Sequence, residues 1–170
     1  MFLSFWMVQR LTREINSLEY EVIERQRQLT NCQKYASRLG GSSIMNLNNV
    51  AGLSSDLLPR ASLFAQYSEQ ASSVSAMQNL QAMKAMGRVP ITGNPAMQMQ
   101  IEMSAYNQFR EQALKDLKQQ EIAVLNEKEK EIELELNELE QRLKMKRNQL
   151  ESYKQLSDQE SKEWAPRFGL

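Results

Sequence analysis

Apolar residues recur every three and four positions near both ends of the chain, and that repeat decides what it can fold into. In the first stretch they are Val8, Leu11, Ile15, Leu18, Val22, Leu29, Cys32, Ala36 and Leu39, with Arg25 the one charged interruption. In the second they are Ile122, Leu125, Ile132, Leu136, Leu139, Leu143, Leu150 and Tyr153, interrupted by Glu129 and Lys146. A stripe with this spacing runs straight along a helix and is buried only when another helix lies against it. The punctuation agrees. Gly40 and Gly41 follow Leu39 as a helix stop, Asn94-Pro95 offers an N-cap followed by proline in the first helical position, and Pro166 ends the second pattern. The chain is therefore predicted to be all-α. A first coiled-coil helix fills residues 1–39, a charge-poor middle segment of residues 40–96 holds one helix over about 57–86, a long second coiled-coil helix covers 97–165, and 166–170 form a tail.

The charged interruptions suggest an alignment. With the outer helices antiparallel and Val22 opposite Ile132, Leu11 meets Leu143, Ile15 meets Leu139, Leu18 meets Leu136, and Arg25 falls opposite Glu129. A slip of one heptad puts Arg25 on Leu136 or Ile122 and Glu129 on Cys32 or Leu18. A charge left in an apolar seam without its partner costs on the order of several kcal/mol. The expectation is an intramolecular antiparallel coiled-coil hairpin with Arg25 and Glu129 as its register pair. On the rim Glu14 then lies near Arg142, while Glu19 falls near Glu133 and Glu21 near Glu135, repulsions worth only tenths of a kcal/mol at a solvated edge.

In this alignment Leu39 sits near Lys115, so the start of the long helix overshoots the first one. Its apolar face there, Met103, Tyr106, Phe109, Ala113 and Leu117, needs a cover. The middle segment supplies a stripe at Phe64, Tyr67, Ala71, Val74, Met77, Leu80 and Met83, with Ser55 and Asp56 as candidate caps and Pro59 tolerated in a first turn. Packing that stripe on the overshoot gives a short three-helix head at one end. Methionine fills irregular cores and also serves adaptable binding surfaces, so Met77, Met83 and Met86 are at once core candidates and partner-binding candidates.

Composition removes most chemistry. The chain has no His and one Cys, which excludes Cys/His zinc sites, His-dependent triads and imidazole-ligated haem. The expectation is a non-enzymatic protein with no catalytic residue, no cofactor and no metal. Its 21 Lys and Arg balance 21 Asp and Glu, so nothing attracts nucleic acid in bulk. The carboxylates of residues 127–140 fan around a single helix with no pocket to shift a pKa. Gly40-Gly41-Ser42-Ser43 lacks the lysine of a phosphate loop.

Both ends carry aromatics. The N-terminal run with Phe2, Leu3, Phe5 and Trp6 is too short to span a bilayer, which takes about 20 apolar residues, and lacks the features of a cleavable signal. It suits either a membrane interface or packing on another helix, the latter favoured. The expected location is cytoplasmic, or exported without a cleavable signal. Trp164, Phe168 and Leu170 overshoot the hairpin at the other end. They present either a docking peptide or an aromatic cluster with Phe2, Phe5 and Trp6.

Paired terminal helices rich in Glu, Lys and Gln, here residues 4–39 and 98–163, resemble the coiled-coil stalk proteins of type III secretion and flagellar export. That family inserts into an export ATPase ring and contacts the export gate. The middle insertion departs from its simple hairpin, and the paired ends with a variable middle also resemble exported filament subunits. The implied function is a coiled-coil structural or assembly component of a bacterial secretion or surface-filament apparatus, whose partners are proteins or further copies of itself. The alternative is a cytoplasmic adaptor that touches membrane through its aromatic N-terminus.

Overall fold

A computed structural model describes residues 2–41 and 57–164, and the side chains of residues 4–41 and 57–162 within them. The protein is all-α: helix α1 spans Phe2–Gly40, α2 spans Leu58–Ala85 and α3 spans Pro95–Trp164. No strand occurs among the described residues. The chain divides into two compact units, Met1–Thr30 with Glu129–Leu170, and Asn31–Lys128. The division cuts across both outer helices, so each contributes to both units.

In the first unit α1 and α3 run side by side in opposite directions. Leu11, Ile15, Val22, Ile132 and Leu143 are buried, which fits the heptad spacing that singles them out. Polar contacts cross between the helices along the unit. Ser4 Oγ donates to Glu160 at 2.7 Å, Lys146 Nζ to Glu14 at 2.7 Å, and Arg147 to Glu19 at 2.6 Å, while Arg25 Nε lies 3.0 Å from Glu135.

These contacts correct the expected register. Arg25, expected opposite Glu129, makes its ion pair with Glu135. Glu14, expected near Arg142, meets Lys146. These partners are displaced from the expected ones toward the alignment one heptad along, which the stranded-charge argument rejects. The physical reason is reach. Long cationic side chains lie along an apolar seam and deliver their charge to its rim, and Arg25 and Lys146 keep 40% and 37% of their side chains exposed while doing so. The shift also replaces the expected glutamate repulsions with pairs, since Glu19 meets Arg147 and Glu135 meets Arg25.

In the second unit the end of α1, all of α2 and the first part of α3 surround a core of Cys32, Tyr35, Leu39, Leu57, Ala61, Ala76, Val89 and Leu125, with Ser68 and Ser72 also buried. The helix ends follow local chemistry. Leu57 is the N-cap of α2, with no side-chain hydrogen bond and proline just inside the helix; the expected caps Ser55 and Asp56 lie outside the described residues. At the other end Arg88 N donates to Met83 O and Gly87 N to Lys84 O, both at 3.0 Å. With Gly87 at φ 65°, this is a left-handed glycine closure that satisfies the last carbonyls. Helix α3 opens where Asn94 Oδ1 accepts from Ala96 N at 3.0 Å and Gln98 Oε1 accepts from Thr92 N at 3.0 Å.

Helix α2 lies antiparallel to α3, joined by ion pairs Arg60–Glu121, Glu69–Arg110 and Lys84–Glu102. The face it turns inward is only partly the expected one, with Phe64, Ala71, Leu80 and Met83 of the predicted stripe half-buried. Tyr67, Val74 and Met77 of the predicted stripe are 63%, 56% and 59% exposed, whereas the small residues Ala61, Ser68, Ser72 and Ala76 are buried. At about 100° per residue the two rows fall almost opposite each other on the helix. Small side chains let helices approach closely, and the buried hydroxyls find partners in their own backbone: Ser68 Oγ donates to Ala65 O and Ser72 Oγ to Glu69 O.

Candidate functional site

The polar centre of the second unit joins all three helices. Arg60 on α2 grips Glu121 on α3 through two bonds, Nε to Oε1 at 2.6 Å and a terminal nitrogen to Oε2 at 3.1 Å. This two-point geometry is the strong form of the ion pair. The Glu121 side chain is only 13% exposed. Its hydrogen bond to Glu121 raises the Arg60 pKa further above the usual value, with burial working in the opposite direction.

Beside this pair Tyr35 of α1 is 0% exposed. Burial drives its phenol pKa well above the ordinary 10.0, and the neighbouring Glu121 carboxylate pushes the same way. The hydroxyl has no well-formed hydrogen bond. Cys32, one turn earlier, is also buried. The arrangement fixes the mutual placement of three helices and presents no accessible nucleophile or base. Among the described residues no cluster of three or more His, Cys, Asp or Glu forms that could hold a metal ion.

Sequence reasoning passed over Tyr35, Arg60 and Glu121. A signal was present: Tyr35 and Glu121 each flank a seam residue, Ala36 and Ile122, and Arg60 is one of only five charges in residues 40–97.

The solvent-facing chemistry lies elsewhere. A shallow groove of the first unit is lined by Glu21, Glu135 and Glu138 together with Arg25 and Arg142, but Arg142 bonds Glu138 at 2.6 Å and Arg25 bonds Glu135. Two ion pairs thus line the groove. A second, in the other unit, lies where Leu39 and Gly40 meet Leu114, Lys118 and Ile122.

The outward face of α2 is different. Leu63, Tyr67, Gln70, Val74, Met77 and Gln81 alternate at intervals of four and three along one row. The four apolar members are each more than half exposed. No charge interrupts the row, because all three charged residues of α2 are engaged with α3. Of the methionines expected to bind partners, Met77 lies in this row, Met86 is exposed beyond the end of the helix, and Met83 is half-buried.

Toward the start of the chain Phe5 and Trp6 are 57% and 56% exposed, and the Arg10 guanidinium stacks over Trp6 at 5.7 Å. Trp164 closes α3. Its side chain, that of Phe2, and residues Phe168 and Leu170 lie outside the described residues, as does the proposed aromatic cluster they would form. Glu129, half of the expected register pair, is half-buried and engaged in an interaction of its own.

No helix among the described residues is long and apolar enough to cross a membrane. Comparison with known proteins adds no name to this geometry: no family profile, no curated protein and no solved structure matches the chain.

Proposed function

We propose that the chain is a non-enzymatic helical assembly protein that works through helix–helix contacts. The observation that carries this reading is the uncharged row Leu63, Tyr67, Val74 and Met77, apolar, heptad-spaced and turned to solvent. A helix that exposes an uncharged, largely apolar row offers a docking seam. The polar clusters, by contrast, are closed into pairs that hold helices together. The setting we favour is a component of a bacterial secretion or surface-filament apparatus, on the strength of the resemblance of its paired terminal helices to those proteins.

Electron microscopy of concentrated protein, with co-purification against an export ATPase, tests the setting. Ordered assemblies or a stable complex are the expected result; dispersed particles with no complex refute it.

A second reading, peripheral membrane contact, draws on exposed Phe5 and Trp6 beside Arg10. Aromatic and basic residues together suit an anionic interface. Co-sedimentation with anionic and with neutral vesicles decides it: retention on anionic vesicles that Trp6→Ala abolishes supports the contact, and no retention removes it.

A further inference from the structure

We infer that the outward row of α2 is a self-association surface, covered by the same row of a second copy of this chain in antiparallel pairing. The inference rests on the helix–helix assembly reading and names the partner that reading leaves open. Three observations point to a copy of the chain itself.

The row is electrically neutral, since Arg60, Glu69 and Lys84 are bound to Glu121, Arg110 and Glu102. A charged partner gains nothing there, and an uncharged seam pairs best with another uncharged seam. The row is also self-complementary when reversed. With the two-fold axis level with Ser72, Tyr67 of one copy meets Met77 of the other, and Gln70 meets Val74. The layers on either side of the central Gln70–Val74 pairs then hold two aromatic–thioether contacts, a favourable pairing. Leu63 faces Gln81 at each end.

The area suffices as well. Two facing rows along helices of about 40 Å, each roughly one helix wide, bury on the order of 1,000 Å² in total, the size at which a specific contact becomes stable. A two-fold pairing uses one patch twice, the commonest way for a chain to associate with itself.

Light scattering across a hundredfold range of concentration, with circular dichroism to follow helicity, tests the pairing. The wild-type chain of 19.7 kDa is expected to reach twice that mass. Tyr67→Glu and Met77→Lys, each at an exposed position, are expected to shift it to the single-chain mass at unchanged helicity. The combined Tyr67→Glu, Met77→Lys chain sets a carboxylate against an ammonium in both halves of the antiparallel pair, so its dimer is expected to return.

A wild type that stays at single-chain mass overturns the inference. A dimer that survives both single variants also overturns it, and leaves the assembly reading standing on some other surface. Loss without recovery in the combined variant overturns the antiparallel arrangement. Failure to find filaments or an export complex refutes the proposed setting without touching the dimer, so the two ideas fail separately.

Discussion

The seam of the first unit and the inner face of α2 bury different kinds of side chain, and the difference leaves α2 with large apolar residues turned to solvent. In the first unit the seam residues Leu11, Ile15, Val22, Ile132 and Leu143 are buried, and the ion pairs sit at the rim with side chains a third or more exposed. The large apolar residues of its seam have found their partners within the chain. In the second unit α2 turns Ala61, Ser68, Ser72 and Ala76 inward and leaves Leu63, Tyr67, Val74 and Met77 outside. Its most protected ion pair, Arg60–Glu121, lies against the core. A helix that packs through small residues keeps its large ones for something else.

Several measurements break or sharpen that contrast. The largest effect is expected at Leu125, 1% exposed. Leu125→Ala removes packing that the surroundings cannot replace and should cost about 3 kcal/mol, read from the urea midpoint. Next comes the central ion pair. Glu121→Ala leaves Arg60 partly buried without its carboxylate and should cost about 2 kcal/mol. Lys146→Met in the first unit should change stability by less than about 1 kcal/mol, because a rim pair competes with water. Equal losses from those two variants would erase the distinction between the units.

Gly87→Ala should cost about 1 kcal/mol in thermal unfolding. No atom lies within 4 Å of the added carbon, so the loss comes from the positive φ alone.

Acid should loosen the rim contacts. The Lys146 ammonium, and then Arg10, hold the Glu14 carboxyl below its ordinary 4.5; the Ser4 hydroxyl does the same for Glu160, and Lys84 for Glu102 in the second unit. A depressed carboxylate stabilises the fold at pH above its unfolded value and loses that contribution as pH falls through its folded one. The melting temperature should therefore fall on acidification below 4.5, and by less in Glu14→Gln. The smallest effect is expected from Tyr35→Phe. Removing a buried hydroxyl that has no good partner should shift stability by no more than about 0.5 kcal/mol.

What the sequence made legible was whatever is written locally. The all-α class follows from the heptad rows, and the opening of α3 from Asn94 and Pro95, because caps and periodicity act within a few residues. The register was misread since spacing shows that Arg25 interrupts a seam but not that its stem carries the charge out to Glu135. The face of α2 was legible only in part, for a related reason. Apolar size suggested which side is buried, while the decision fell to close approach along Ala61, Ser68, Ser72 and Ala76, whose spacing of seven and four is visible only to a reader who looks for small residues. The Tyr35, Arg60 and Glu121 cluster brings together three distant parts of the chain, and no local pattern announces that.

The three ion pairs along α2 have a kinetic consequence. Arg60, Glu69 and Lys84 tether the helix to α3 near its start, its middle and its end, Arg60–Glu121 being the most sheltered of the three. Whatever meets its outer row meets a surface already set in place, and the ordering that costs a flexible segment much of its affinity has been met during folding. Association there should be limited by diffusion and orientation rather than by a folding step, and high salt, by relaxing the tethers, should slow it.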